Sequence, residues 1–242
     1  MTPEELQSDE SLESMPRSGS GLLDDSSAVT EDHALSQLKD GDLTAEALEQ
    51  ISQDTALMKS RKVHMAVAAH PRTPRRIALR LIRELYTFEL MKFALMPTVA
   101  ADLKRVADEL LLSRIAGITL GERISLARRS SERVAGALLL DRETRVWQTA
   151  LENGRLTEVA VVRALQRTTG TPAFVEAVSH HAKWALRLEV QIALLRNAHT
   201  PLASAIKFAR RLTPHQLRDI LHTSRLPEKI KSYLRKDAEP RG

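Results

Sequence analysis

The chain has no cysteine among its 242 residues, which excludes disulfide bonds, thiolate metal ligands and cysteine nucleophiles. Its longest run of small or apolar residues, 134–140, is far shorter than the ~20 residues that a membrane span needs. The first thirty residues carry acidic side chains where a secretory signal would be apolar. We therefore expect a protein of the reducing cytoplasm that has no membrane partner.

Recognisable catalytic motifs are also missing. The sequence contains no phosphate-binding glycine loop, no nucleophile elbow and no HExxH zinc motif. The one histidine pair, His180 and His181, is adjacent in sequence, so on a helix the two rings point about 100° apart and do not chelate a metal. We expect no enzymatic activity, no cofactor, no metal and no small-molecule substrate.

Charge is divided unevenly along the chain. Residues 1–54 hold fourteen acidic and two basic residues, a net charge of −12, whereas the remaining residues hold 34 basic and 17 acidic ones, a net charge of +17. Residues 1–31 are rich in Ser, Asp, Glu and Gly and poor in apolar residues, which predicts a disordered acidic segment. We expect a single helical domain over 32–237 and a short tail over 238–242.

Leu, Ala, Arg and Glu dominate the sequence, and no segment alternates apolar and polar residues, so we predict an all-α fold. Five of the ten prolines follow threonine, at Thr2, Thr73, Thr171, Thr200 and Thr213. A threonine hydroxyl accepts from the first turn of a helix, and proline fits the first helical position. Each pair therefore predicts a helix start, and Thr213 with Gln216 fits a capping box. Similarly, Thr44 is expected to cap a helix after the turn at residues 40–42.

Short blocks recur along the chain. HPRTP at 70–74 aligns with NGRLT at 153–157 and NAHTP at 197–201, and weaker copies are MPTVA at 96–100 and TSRLP at 223–227. Their spacings predict a helical repeat of roughly two dozen residues, with about two units in each of the longer gaps, 96–153 and 153–197. HPRTP is therefore interpreted as a turn with a helix cap rather than as a ligand site.

The repeated pattern is an apolar helix, then Asn/His-Pro-x-Thr-Pro, then a second apolar helix. It is carried by residues 66–81, 121–157, 149–165 and 193–209. It resembles HEAT-like α-solenoid repeats and the leucine-rich repeat variant, over about residues 44–234. The resemblance implies an α–α superhelix of short paired helices. The variant family also carries a cysteine cluster that binds an iron–sulfur centre, which this cysteine-free chain does not imply.

HEAT-like DNA glycosylases, a more remote resemblance, place aromatic residues and an acid in a concave groove. Trp147 and Trp184 instead lie within apolar segments and are predicted to be core residues. No motif distinguishes Glu176 or Glu189, so glycosylase chemistry is not predicted.

Basic residues recur at equivalent positions of the aligned second helices, and helical spacing of three and four places them on one face. This predicted basic stripe comprises Arg76, Arg80, Arg83, Arg163, Arg167, Lys207, Arg210 and Arg211. Three interpretations remain open: a solvated face, a docking surface for an acidic protein segment such as the chain's own N-terminus, and contact with phosphates.

The sequence thus favours a non-enzymatic helical-repeat scaffold that binds a protein partner through an extended, partly basic surface. The alternative is sequence-independent binding of a nucleic-acid backbone, with the acidic N-terminal segment masking the stripe. Aromatic residues make up 3% of the chain, too few for a base-stacking platform. Salt dependence distinguishes the two functions, because phosphate contacts give a steep fall of affinity with salt.

Overall fold

A computed structural model describes residues 25–39, 41, 43–167 and 171–238. Within these residues it contains sixteen α-helices, two 3₁₀ helices and no strand, which confirms the predicted all-α fold class. No helix in this part of the chain is long and apolar enough to cross a bilayer. The α-helices are α1 (Asp25–Lys39), α2 (Ala45–Gln53), α3 (Thr55–Lys59), α4 (Arg61–Ala69), α5 (Arg75–Arg83), α6 (Thr87–Leu95), α7 (Ala101–Arg114), α8 (Leu120–Arg129), α9 (Glu132–Leu138), α10 (Thr144–Leu151), α11 (Glu158–Gln166), α12 (Pro172–His180), α13 (Leu188–Arg196), α14 (Leu202–Ala209), α15 (Pro214–His222) and α16 (Glu228–Ala238).

Two of the Thr-Pro pairs cap helices as predicted. The Thr171 hydroxyl accepts from the backbone N–H of Phe174 at 3.3 Å. Thr213 and Gln216 form the predicted capping box, in which each side chain accepts from the other's backbone N–H. Thr44 likewise caps α2 through the N–H of Ala47.

The other two described Thr-Pro pairs act differently. α5 and α14 begin one residue after the proline. The hydroxyls of Thr73 and Thr200 instead donate, at 2.6 Å each, to the carbonyls of Val67 and Leu194 in the preceding helix. The helix start is therefore predicted correctly at both sites, but the threonine closes the earlier helix instead of capping the later one. Thr2 lies outside the described residues.

The HPRTP block is a turn, as predicted. His70 ends α4, and its Nδ1 accepts from the N–H of Arg72 at 3.2 Å, before α5 begins at Arg75. The same turn, in which the side chain of an Asn or His accepts from the backbone two residues on, recurs after three other described helices. The accepting residues are Asn153 after α10, His181 after α12 and Asn197 after α13.

The helices from α4 onward form two rows. Even-numbered helices pack on the next even-numbered helix from α4 to α12 and again from α14 to α16, while odd-numbered helices do so from α5 to α15. A hydrogen bond of 3.2 Å between Ser204 and Ser179 links α14 to α12. Buried residues of both rows form one core. We call these the even row and the odd row.

Both tryptophans lie in this core, as predicted. Trp147 packs edge-on against Phe174 with ring centroids 5.6 Å apart. Trp184 is buried, and its Nε1–H donates to the carbonyl of Leu151 at 2.9 Å. The indole therefore also joins α10 to the chain segment that follows α12.

The predicted repeat spacing is right for one long gap and wrong for the other. The gap 96–153 contains α7 to α10, which is two helix pairs. The gap 153–197 contains only α11, α12 and α13. The reason is that the same turn chemistry ends helices of both rows. HPRTP and NGRLT follow even-row helices, whereas NAHTP follows α13 in the odd row.

The first helix differs from the predicted boundary between residues 31 and 32, which falls inside α1. α1 begins at Asp25 and packs on α3 and α4 through the buried side chains of Ala34 and Leu38. α1 therefore includes residues 25–31, for which composition alone predicts disorder. The rest of the predicted acidic segment, 1–24, and residues 239–242 lie outside the described part of the chain.

Candidate anion-binding groove

The structure distributes the predicted basic stripe over both rows. Arg76, Arg80 and Arg83 lie on α5, and Arg163 lies on α11, which Arg167 ends. α7 and α9 separate these two odd-row helices. Lys207 lies on α14 in the even row, and Arg210 and Arg211 follow that helix. Arg163 and Arg167 line a common depression, of about 340 Å³ between α9 and α11.

Three members of the stripe contact neighbouring helices. Arg76 forms an ion pair with Glu49, and the Nη2 of Arg80 donates to the carbonyl of Ser52 at 3.3 Å. The Nε of Arg210 lies 3.2 Å from Asp237 Oδ2. These contacts join α5 to α2 and α14 to α16, so the three guanidiniums have a structural role.

A second groove, of about 490 Å³, lies at the C-terminal ends of α11, α13 and α15. Three exposed arginines line it, spaced 29 residues apart: Arg167 caps α11, Arg196 ends α13, and Arg225 lies three residues after α15. His199 lies beside them. We call this site the basic groove. Among the described residues, no hydrogen bond or ion pair engages any of the three guanidiniums.

The helix ends around the basic groove are capped by other groups. Asn197 Nδ2 donates to the carbonyl of Leu165 at 2.8 Å, and Ser224 Oγ donates to that of Leu195 at 2.6 Å. The backbone N–H of Arg225 donates to the carbonyl of Arg196 at 3.0 Å. Because the terminal carbonyls already have donors, the guanidinium groups are not needed as helix caps. They remain available to a ligand.

The electrostatic balance of the groove is positive. Each helix C-terminus carries about half a negative charge, so three ends offset roughly 1.5 of the three guanidinium charges. Arginine stays protonated at any physiological pH. The rest of the lining is mixed: Leu165, Ala193 and Ala198 are apolar, and Gln166 and Thr223 are polar. The groove therefore suits an anionic ligand that also has an apolar part.

The depression between α9 and α11 continues the basic surface, because Arg167 lines both sites. Arg133 and Arg163 are its other basic residues. Arg133 is paired with Glu109 at 3.0 Å, and the nearby Glu132 accepts from the hydroxyl of Thr157 at 2.7 Å. The charge there is more balanced than in the basic groove, which makes the groove the better anion site.

Sequence reasoning identified Arg167 but missed Arg196 and Arg225. Their common spacing of 29 residues is visible in the sequence, but it is meaningful only because α11, α13 and α15 are neighbours in one row. The predicted stripe depends on aligning NAHTP, which follows an odd-row helix, with HPRTP and NGRLT, which follow even-row helices. This alignment places the last three predicted basic residues on α14 or directly after it, in the even row. The missing information was therefore the number of helices between the aligned blocks.

The histidine pair lies at the C-terminal end of α12. His181 ends α12, and its Nε2 lies 3.1 Å from Glu152 Oε1. His180 Nδ1 lies 2.9 Å from the carbonyl of Glu176. Across the described ranges, no three His, Asp or Glu side chains come together as a metal site.

Two charged groups are buried away from the groove. Burial raises the pKa of Asp108, whereas a hydrogen bond of 2.8 Å from the Ser131 hydroxyl opposes that shift. Arg123 Nη1 binds both carboxylate oxygens of Asp141, at 2.7 and 2.8 Å. Both carboxylates have side-chain partners within the fold, whereas Arg123 Nε is buried without one among the described residues.

No protein-family model, curated protein or solved structure matches this chain. The candidate site therefore rests on the geometry of the groove.

Proposed function

We propose that this protein is a non-enzymatic helical-repeat scaffold of the cytoplasm that binds an acidic segment of a protein partner in the basic groove. The observation that carries the proposal is the set of three arginines around one groove, Arg167, Arg196 and Arg225, none of which has a side-chain partner among the residues that the structure describes. The two rows of stacked helices are compatible with an α–α superhelix of the HEAT-like or leucine-rich repeat variant type. Such stacks commonly present long binding surfaces.

The groove lining favours a peptide over a bare phosphate backbone. Guanidinium groups form paired hydrogen bonds with carboxylates. The exposed Ala198 offers an apolar contact to the aliphatic parts of a peptide, and the exposed amide of Gln166 can bond to its backbone. A nucleic-acid backbone would leave the exposed methyl group of Ala198 without a partner.

The second candidate is sequence-independent binding of a nucleic-acid backbone, with the acidic N-terminal segment as a mask. The observation that favours it is the continuity of the groove with the depression that holds Arg133 and Arg163. Together the two sites form a longer basic surface than a short peptide needs. This candidate predicts a linear, steep fall of log affinity with log salt.

The test is fluorescence anisotropy with the full-length protein and a labelled peptide of five Glu-Ala-Pro repeats, in low salt. The variant carries Arg167→Gln, Arg196→Gln and Arg225→Gln. Exposed ion pairs contribute about 0.2–1 kcal/mol each, so losing three should weaken binding about 3- to 100-fold. The matched control carries Arg128→Gln, Arg187→Gln and Arg211→Gln, which are exposed and lie outside the groove.

The control should bind the peptide within about twofold of the wild type, and circular dichroism should show both variants folded. Equal loss in the two triple variants would mean that net charge, not the groove, governs binding. Tighter binding of duplex DNA with a steep salt dependence would support the second candidate. No binding of either ligand in low salt would refute both functions.

A further inference from the structure

Two of the three groove arginines start from neighbouring backbone positions. The N–H of Arg225 donates to the carbonyl of Arg196 at 3.0 Å. With ordinary bond lengths, this contact places the two Cα atoms no more than about 7 Å apart. Both side chains line the same groove, and each is about as long as that separation. The two guanidinium groups can therefore reach one ligand group together.

The positive charges of this arginine pair are not offset by an acidic side chain. Within the described residues, the groove lining contains no Asp or Glu, and neither guanidinium has a side-chain partner. The exposed His199 of the same lining adds a further positive charge when it is protonated. The pair therefore suits a ligand that brings two negative charges to one point.

A phosphorylated side chain brings both charges in a single group. Phosphoserine and phosphothreonine carry about −1.5 to −2 charges at pH 7 and three strong acceptor oxygens. Two glutamates of a peptide supply the same charge, but both of their long side chains must lose rotamer freedom on binding. The planar donor fork of arginine also matches phosphate geometry. A phosphoryl group is therefore the better anion for two adjacent arginines.

We infer that the basic groove binds a phosphorylated segment of a partner protein, with the phosphoryl group of a phosphoserine or phosphothreonine held between Arg196 and Arg225. This inference rests on the proposed function and names the anion that decides its affinity. Arg167, from the end of α11, binds a neighbouring carboxylate of the same segment. The exposed Ala198 and Gln166 contact the rest of the peptide.

The decisive comparison uses two labelled peptides of equal length and charge at pH 7.5. Both are built from five Glu-Ala-Pro repeats. The central repeat is phosphoserine-Ala-Pro in one peptide and Glu-Ala-Glu in the other, which gives each a charge of about −6. Residues two apart share a face of an extended chain, so the second peptide is a demanding control. With full-length protein in low salt, we expect the phosphopeptide to bind at least fivefold more tightly.

Lysine variants test the arginine pair without changing the charge of the groove. Arg196→Lys with Arg225→Lys keeps both charges but removes both planar forks. We expect this double variant to lower the ratio of the two peptide affinities to below about two. Arg167→Lys makes the same change outside the pair and should leave the ratio unchanged, as should Arg187→Lys at the opposite end of α13. Circular dichroism checks that every variant is folded.

The outcomes separate this inference from the proposed function. Equal binding of the two peptides overturns the inference, and leaves the function intact when the groove triple variant still weakens both. A preference for the phosphopeptide that persists in the double lysine variant also overturns it. No binding of either peptide overturns both. Duplex DNA that binds more tightly than the phosphopeptide, and loses binding in the triple variant, overturns the inference in favour of a nucleic-acid ligand.

Discussion

Two regions of the odd row cap their helix ends in different ways. In the earlier region, the Arg114 guanidinium of α7 donates to the carbonyls of Leu85 and Arg83 at the end of α5, at 2.6 and 3.0 Å. In the later region, around the basic groove, the neutral side chains of Asn197 and Ser224 perform the same task. Arginines lie at the helix ends in both regions. Within the described part of the chain, Arg114 donates to the neighbouring helix, whereas Arg167, Arg196 and Arg225 have no protein partner.

The difference shows that the number of arginines does not identify a binding surface. A guanidinium that caps a neighbouring helix has used its donors and is held in place. One that lies beside already capped carbonyls keeps its donors for a ligand. The neutral caps are therefore part of the proposed site, although they do not touch the ligand themselves.

The largest effect on stability is expected at the most buried neutral cap, Asn153, which follows an even-row helix. Its Nδ2 donates to the carbonyls of Ala127 and Ser130, and its Oδ1 accepts from the N–H of Arg155. Asn153→Asp keeps the acceptor but removes the donor and buries a charge. We expect a loss of about 3 kcal/mol in the free energy of unfolding, measured by urea denaturation at pH 7.

Lowering the pH should restore part of the lost stability in this variant, because the protonated carboxyl regains a donor. A variant as stable as the wild type at pH 7 would show that the neutral caps contribute little to the stability of the fold. The distinction between neutral and charged helix caps would then have no energetic basis.

The charged cap should have the second-largest effect. Arg114→Met keeps the apolar stem but leaves the carbonyls of Leu85 and Arg83 without their donor. Because Arg114 is half-buried, water replaces part of the lost bonding, and we expect a loss of about 2 kcal/mol in urea denaturation. Arg83→Met is the matched control, since that side chain is exposed, and it should change stability by less than about 0.5 kcal/mol.

A smaller effect is expected at the neutral cap of the groove. Ser224→Ala removes the donor to Leu195 and the acceptor for the N–H of Leu226, which should cost about 1–2 kcal/mol. Thr223→Ala, at the exposed adjacent residue, removes a bond of 3.2 Å to the carbonyl of Ile220 in its own helix and should cost less than Ser224→Ala. The Ser224 variant should also bind the acidic peptide less tightly, because the bare carbonyl competes for a guanidinium. Unchanged peptide affinity would mean that the Ser224 cap stabilises the fold but does not influence peptide binding.

The smallest effect depends on pH and lies outside both capping regions. Burial raises the pKa of Asp108, while the Ser131 hydroxyl opposes the shift. The folded state therefore holds this proton more tightly than the unfolded chain does, and stability falls as the pH rises from the unfolded value, about 3.9, through the folded one. Asp108→Asn keeps an acceptor for Ser131, so it should raise the urea midpoint at pH 7.

The gain from Asp108→Asn should shrink as the pH approaches 4. Glu109→Gln, at an exposed residue of the same helix, removes a neighbouring negative charge that also raises the pKa of Asp108. It should therefore change the pH profile in the same direction but by less. A pH-independent gain would mean that packing rather than ionisation explains the stabilisation.

Local features were predictable from sequence, because they depend on a few adjacent residues. The turn at His70, the capping box at Thr213 and the burial of Trp184 follow from side-chain chemistry within one segment. The start of α1 was not predictable from composition, since it depends on packing by Ala34 and Leu38.

Non-local features were not predictable. Row membership depends on how many helices lie between two turns, and identical turns at Asn153 and Asn197 end helices of different rows. Ion pairs such as the one between Arg76 and Glu49 join residues far apart in sequence. Both effects alter which arginines can reach a ligand, so the predicted stripe contained one of the three groove arginines.

The neutral and charged caps donate their hydrogen bonds in the same direction along the chain. The side chains of Arg114, Asn153, Asn197 and Ser224 each donate from a later helix to a carbonyl of an earlier one. These four caps therefore run in one direction, with acceptors presented forward and donors presented backward along the chain, whereas the Arg61 guanidinium bonds in the opposite sense to the carbonyl of Glu84. Removing helices from the C-terminal end of the stack leaves carbonyls that water solvates readily. Removing helices from the N-terminal end leaves buried donors, such as Nδ2 of Asn153, without their acceptors. The two ends of the molecule are thus unequal places for growth or loss of repeats during evolution.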